Sequence, residues 1–314
     1  MINASASAKT ILFGEHAVVY GYPAIAVPIS SLRATAEIIK QTGRDSGIHI
    51  KAPDIDKELI LNFDAKQLDQ INDALSTTVK LVIDKLGVKI PSWDITIQST
   101  IPLASGLGSG AAVSTAIARS FISAFGKSVD LQTLNEIVFE VEKIHHGTPS
   151  GVDNTVIVYE KPIYFIRDKI IEPFEIKHKF SLIIADTGHP APTKIAVSDV
   201  RKLYETDKKN TVTTLEAIGK IAEEGRIALV SGDHCQLGVL MTQNHQLLRD
   251  LTVSSPLLDK LVEVAIQAGA LGAKLSGGGR GGNMIALVTA ETQEAVTIAL
   301  KKAGAINTFL TTLK

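Results

Sequence analysis

The stretch PLASGLGSGAA, from Pro102 to Ala112, decides how this chain is read. Glycines and serines surround one leucine, and small apolar residues follow. Glycine loses more freedom on ordering than any other residue and offers no side chain to bury. A loop of this kind inside a patterned region therefore needs a reason. Just before it, SWDITIQS (92–99) alternates, with Ile95 and Ile97 on one face, and predicts a strand. Just after it, AAVSTAIARSFISAFG (111–126) is helix-compatible and rich in small residues. Strand, glycine loop and helix in this order present backbone N–H groups at the positive end of a helix dipole. That is an anion site, most often a phosphate site. The same glycines also suit a tight turn with close packing, and the loop by itself leaves both readings open.

Outward from the loop the pattern stays mixed. The first sixty residues read as strands, TILFGEHAVVYG (10–21) and ATAEIIKQ (34–41) among them. Leu68, Ile71, Leu75, Val79, Val82 and Leu86 recur at helical spacing, and Gly87 stops that pattern. A second helix is predicted over 130–147, with a stripe of Leu131, Leu134, Val138, Val141 and Ile144 ended by Gly147. VDNTVIVYEKPIYFIRD (152–168) reads as two strands turning near Lys161-Pro162, and FSLIIADTG (180–188) as a buried strand. Two long helical patterns cover about 197–224 and 227–251. Another helix follows Ser255 or Ser254 as N-cap. AKLSGGGRGGNMIALVT (273–289) reads strand, glycine loop, strand, before a last helix and a short final strand. The fold class is α/β (α+β), and charge and pattern place a boundary near 167–179, giving domains 1–172 and 173–314.

Composition narrows the function. The chain has 314 residues, 32 Lys and Arg against 33 Asp and Glu, and a net charge of −1. No basic run provides a face for tracking phosphates along nucleic acid. Cys235 is the only cysteine, which fits a reducing compartment. No signal peptide and no membrane span is read, so a cytoplasmic protein is expected.

Familiar nucleotide motifs do not fit. FGKS (125–128) lacks the P-loop glycine, because Phe121 stands at that position. GGGRGG matches a dinucleotide pattern through Gly277, Gly279 and Gly282, but a strand-like NMIALV follows it instead of a helix. Three other segments set polar residues beside glycine. SAKTILFGEH holds Lys9, Glu15 and His16; EVEKIHHGTPSGVDN holds Glu142 and Asp153; KLSGGGRGG offers a second backbone nest. Singly, each has a plain reading: Lys9 a solvated charge, Glu142 a surface residue, Asp153 a turn residue. Glu142 and His145, three apart, have a metal-ligand spacing, but a di-iron site needs a second copy and the chain has none. Together they supply what phosphoryl transfer requires: donors for phosphates, a carboxylate for Mg²⁺, a base and a balancing lysine.

This set resembles the GHMP kinase superfamily, with all three motifs in order over nearly the whole chain. PLASGLGSGAA is similar to the family's nucleotide loop, P-x-x-x-G-L-G-S-S. SAKTILFGEHAVVYGYPAIAVPI (7–29), IHHGTPSGVDNTV (144–156) and the run from Asn244 to Gly282 resemble its opening, catalytic and C-terminal segments. The resemblance implies a two-domain GHMP kinase fold with the active site in the cleft between domains. It implies ATP as phosphoryl donor, Mg²⁺ as cofactor and mevalonate as acceptor. Asp153 would take the proton of the acceptor's primary hydroxyl, with Lys9 beside it. Pro102, Ser105, Gly106, Leu107, Gly108, Ser109, Gly110 and Ala111 would wrap the nucleotide. Lys9, Glu15, His16, Asp153, Thr193, Ser276, Gly277 and Gly278 would meet the acceptor, with His16 a candidate partner for its carboxylate. Gly279 would help close the site. Glu142 would bind the metal, with Ser109 or water standing in for the family's second loop serine, which is Gly110 here. Arg280 replaces a more usual glycine, either contacting a phosphate or, on the favoured reading, facing solvent. Expected partners are the two substrates, without nucleic acid or membrane; a homodimer is left open.

Overall fold

The structure, a computed structural model, describes residues 1–41, 47–61, 73–103, 105–146, 149–167, 169, 171–191 and 193–314, the side chains of His145 and His146 excepted. The predicted helix stripe residues Leu68 and Ile71, and the stop at Gly147, lie outside these. The described chain divides into two compact units. One comprises Met1–Ala8, Leu32–Pro102 and Gly108–Glu160; the other comprises Lys9–Ser31, Leu103–Leu107 and Lys161–Lys314. Both are discontinuous, because two long strands run from one into the other.

These strands are β1 (Ile2–Phe13) and β2 (Ala24–Lys40), which pair with each other. In the first unit follow β3 (Gly47–Ala52), β4 (Lys57–Leu61), α1 (Ala74–Leu86), β5 (Ser92–Ser99), α2 (Ser109–Ala124), α3 (Leu131–His146) and α4 (Val152–Tyr159). The second half of β2 runs antiparallel to β5, from Ala34↔Ser99 to Lys40↔Trp93. β3 lies parallel to β5 and antiparallel to β4. A parallel pair needs a crossover, and α1 lies on that connection. Asp73 caps α1 by accepting from the Leu75 and Ser76 amides, and Gly87 ends it at φ +61°. Ile38, Ile48, Ile50 and Ile95 bury completely, as do Ile117 and Phe121 of α2, which packs on β5.

Two expectations fail in this unit. Leu131 is 46 % exposed, because the first residue of α3 precedes its buried stripe. VDNTVIVY is a helix, not a strand. Val152, Val156, Ile157 and Val158 are all fully buried, with α2 and α3 as neighbours. Burial on both sides outweighs the β preference of valine and isoleucine. Gly151 opens the helix at φ +86°, and Asp153 sits in its first turn.

The second unit holds β6 (Ile163–Phe165), which pairs with the first half of β2, and β7 (Glu172–Pro173). Then come β8 (Phe180–Asp186), α5 (Thr193–Thr206), α6 (Lys208–Ser231), α7 (His234–Asp250), α8 (Pro256–Gln267), β9 (Gly272–Ser276), β10 (Asn283–Val288), α9 (Gln293–Ala303) and β11 (Asn307–Leu313). The antiparallel order is β11-β8-β10-β9. α8 and α9 cover this sheet, and α7 packs on β9. A Cβ on Gly272 would stand 2.0 Å from the Gly238 carbonyl oxygen, so only glycine allows α7 this near. Where two helices are predicted over 197–251, three form, interrupted at Asp207 and at Gly232-Asp233. TILFGEHAVVYG divides likewise: β1 ends at Phe13, and Ala17–Tyr20 is a single 3₁₀ turn. Ser255 is the N-cap of α8, accepting from the Leu258 amide, while Ser254 bonds Asp259.

Candidate active site

In the first unit the glycine loop opens a helix. Gly108, at φ +74°, is the N-cap of α2, and the Ala112 amide makes the first helical bond back to its carbonyl at 3.0 Å. The amides of Ser109, Gly110 and Ala111 precede that bond, where a helix has donors to spare and the dipole is positive. No acidic side chain occupies this first turn. Pro102 ends this unit's preceding segment.

Glu142 is buried on α3, so its plain surface reading does not hold. Asp153 is half-buried in the first turn of α4, not in a loose turn. Two side chains unnoticed in the sequence fasten that turn to α3. Asn154 donates to Asn135 Oδ1 at 2.7 Å, and Asn135 donates to Thr155 Oγ1 at 3.3 Å. Thr155 also bonds the Gly151 carbonyl at 2.6 Å. The Asn135–Asn154 pair in particular is invisible to periodicity, because it joins two helices nineteen residues apart.

In the second unit a polar cluster forms between β1, the turn after it, and β9. Lys9 is buried, and its amide donates to the Leu107 carbonyl at 3.0 Å. The nearby Ser105 carbonyl accepts from Asn283 Nδ2 at 2.5 Å, and Gly106 takes φ +83°. Ser276 Oγ bonds Thr10 Oγ1 at 2.7 Å and the Ile11 carbonyl at 2.9 Å. Glu15 pairs with Lys274 in a contact with 1 % and 0 % side-chain exposure. Burial pushes the Glu15 carboxyl up, opposed chiefly by the Lys274 charge; burial pulls the Lys274 ammonium down, opposed by Glu15.

His16 stands at φ +61°, a conformation costly for a residue with a side chain. Its Nε2 lies 3.1 Å from the Gly278 carbonyl oxygen. A carbonyl only accepts, so Nε2 carries the proton. Burial lowers the pKa of His16 to about 4, so the ring is neutral at pH 7. A neutral ring with Nε2 engaged keeps only the Nδ1 lone pair, which accepts from a hydroxyl and repels a carboxylate. The expected pairing of His16 with a carboxylate therefore does not suit this geometry.

Thr193 starts α5 at the surface, against Gly278: a Cβ there would lie 2.7 Å from Thr193 Oγ1. A Cβ on Gly277, at φ +84°, would meet nothing nearer than the Gly106 oxygen at 3.9 Å. Arg280, expected to face solvent, is partly buried, with 28 % of its side chain exposed. It pairs with Asp199 of α5 at 2.5 Å and with the Thr252 carbonyl, pinning the glycine segment.

The second unit thus brings Glu15, His16, Ser276, Gly278 and Thr193 together with Lys274, which the sequence reading passed over. A lysine between Ala273 and Leu275 in an apolar strand was the available signal. Among the described residues, no group of three His, Cys, Asp or Glu is placed to hold a metal. No described helix is long and apolar enough to cross a membrane.

Residues 73–161 match the family "GHMP kinases N terminal domain" and residues 226–306 match "GHMP kinases C terminal". The mevalonate kinase of Pyrococcus furiosus is 36% identical over 319 residues, covering 96% of this chain and 93% of that protein. The crystal structure of L. major mevalonate kinase in complex with R-mevalonate superposes with a TM-score of 0.85 at 29% identity, covering 100% of this chain and 96% of that one. That of the Methanococcus jannaschii mevalonate kinase gives 0.88 at 28%, covering 99% and 98%.

Proposed function

We propose, on the premise that the chain belongs to the GHMP kinases and within them to the mevalonate kinases, how its residues perform that family's reaction. The enzyme transfers the γ-phosphoryl group of ATP to the primary hydroxyl of (R)-mevalonate, giving 5-phosphomevalonate. The observation that carries this is the likeness to mevalonate kinases along nearly the full length of both chains.

The donor ATP is assigned to the start of α2. The amides of Ser109, Gly110 and Ala111 and the loop residues Pro102, Ser105, Gly106, Leu107 and Gly108 suit its phosphates. Asp153 is assigned the base: it takes the hydroxyl proton as the oxygen bonds to the γ-phosphorus and the bond to ADP breaks. Lys9 is assigned to balance the charge of that step. Glu15, His16, Thr193, Ser276, Gly277 and Gly278 are assigned to the acceptor. Neutral His16 takes a hydroxyl hydrogen at Nδ1, and the acid group of mevalonate needs other donors.

Mg²⁺ is assigned to Glu142 and Ser109. A carboxylate and a hydroxyl are hard oxygen donors, and Mg²⁺ keeps waters and phosphate oxygens for its remaining positions. The metal would neutralise phosphate charge. A Mg²⁺ titration of rate tests this: Glu142→Gln should need more metal for half-maximal rate, and a parent-like curve removes Glu142 as ligand. The division into domains 1–172 and 173–314 and a cytoplasmic location, supported by the lone cysteine, complete the assignment.

The decisive assay follows ADP release with mevalonate, phosphomevalonate, galactose and homoserine. Mevalonate alone should be turned over, and Asp153→Asn should lose ~10²–10⁴-fold in rate with ATP binding kept. Near-normal turnover would remove Asp153 from the mechanism.

A further inference from the structure

Lys274 has no role in the assignments above, yet it is the largest polar side chain buried completely in the described structure. It stands on β9 opposite Ile285 of β10 and points its Nζ at Glu15 Oε1 and at the Leu275 carbonyl, 2.7 Å away. Glu15 Oε2 is also buried and meets no hydrogen-bond donor among the described residues. A carboxylate held by one oxygen, with the other left to accept, is a positioned acceptor. Behind Lys274 a chain of bonds leads outward. The Leu275 amide donates to His245 Nδ1 at 3.3 Å, so His245 Nε2 carries the proton toward Asp259 Oδ1 at 3.1 Å. Asp259 is held in turn by Ser254 at 2.5 Å and by Arg249 at 3.3 Å. This strut fixes β9 at Leu275, one residue from the lysine.

We infer that Lys274 is a positioning residue for the acceptor: it holds Glu15 as a carboxylate by Oε1, so that Oε2 accepts a hydrogen bond from a hydroxyl of mevalonate. The inference rests on the assignment of Glu15 to the acceptor side. A lysine kept only for stability is a poor explanation. A buried ion pair is often no more stabilising than apolar residues of similar volume, so burial alone gives no reason to retain one. The charges that act on the pair are few and named. Lys9 of β1 acts on Glu15; Lys274 in turn acts on His16 and on His245 of α7, whose proton faces Asp259 of α8; Arg280 acts on His16. Lys274 both ion-pairs with and donates to Glu15, so its removal takes that cation from a buried carboxyl on which Lys9 still acts.

The test compares Lys274→Met, Glu15→Gln, their double variant and Glu15→Leu with the parent, by acceptor kinetics from pH 6 to pH 9 and by thermal unfolding. In Lys274→Met the Glu15 carboxyl should hold its proton to higher pH. The KM for mevalonate should then be raised about tenfold or more at pH 7, as for a lost bond to a charged group, and fall as pH rises. The KM for ATP should stay near the parent's. The double variant should recover thermal stability, keep the raised KM and show no such pH dependence. Lys274→Gln provides the same reading if Lys274→Met does not fold. A parent-like pH profile in Lys274→Met or Lys274→Gln, with only a lower melting temperature, overturns the inference while leaving Glu15 assigned. A parent-like KM for mevalonate in Glu15→Leu, which leaves no acceptor at that position, overturns that assignment itself.

Discussion

Two glycine-rich segments, 102–112 and 277–282, look alike in sequence and differ in why they are glycine. In the first, a Cβ on Gly106 would meet nothing within 4 Å, and the residue is needed for φ +83°. Gly108 likewise takes φ +74° to open α2. In the second, Cβ atoms would approach Thr193 Oγ1 at 2.7 Å from Gly278, the Val253 carbonyl oxygen at 1.9 Å from Gly279, the Pro190 oxygen at 2.5 Å from Gly281 and the Ser105 oxygen at 2.8 Å from Gly282. One segment is glycine to turn the chain and leave its amides accessible; the other is glycine because neighbours press on it. The second is therefore less a nest for phosphate than a packed clamp. It also acts on the first, since the adjoining Asn283 donates to the Ser105 carbonyl and a Cβ on Gly282 would press on the same oxygen.

The largest effect expected from this contrast is on stability. Gly279→Ala combines φ +79° with a contact no side chain tolerates. It should cost about 3 kcal/mol or more, the scale of overpacking with backbone strain. Calorimetry reads it, and a parent-like melting temperature would show that the clamp yields easily.

A smaller, different effect is expected at Gly108→Val. A branched residue resists φ +74° and crowds the approach to the amides that follow. ATP affinity should fall about tenfold or more, with mevalonate affinity nearly kept. Equal losses for both ligands in a folded variant would erase the distinction between the segments.

The smallest effect is a pH dependence that enters through the clamp. His16, bonded to Gly278, and His245 both have pKa values lowered to about 4 by burial, against an ordinary 6.5. Between those values the unfolded chain binds protons that the folded chain refuses, so stability falls as pH drops from about 6.5 to about 4. Each histidine contributes on the order of 1–2 kcal/mol by pH 5. His16→Gln should lessen the slope of denaturation midpoint against pH while His245 keeps its share. An unchanged slope would mean that His16 titrates normally and its ring is not held by Gly278.

Much of this molecule is legible without coordinates. Strand, loop and helix around Pro102–Ala112 follow from alternation, glycine and small residues, and β5 and α2 form there. The caps at Gly87 and Ser255 follow from local chemistry, since a cap is decided by the residue itself and its next few amides. The motif residues Lys9, Glu15, His16, Glu142 and Asp153 stand out as polar positions in apolar or glycine-rich runs. Local propensity misleads at VDNTVIVY, where valines that favour a strand bury on all sides of a short helix beside α2 and α3. It is silent about Lys274 and Asn283, whose partners Glu15 and Ser105 lie 259 and 178 residues away. By itself the sequence determined the polar positions set in apolar or glycine-rich runs and the turns the backbone makes at Gly87 and Gly108, because those depend on a residue and its near neighbours. Tertiary structure alone decided which glycines are packed, which ring nitrogen of His16 keeps its proton and which lysine meets Glu15. Burial and hydrogen bonding between distant segments have no signature within a short window of chain.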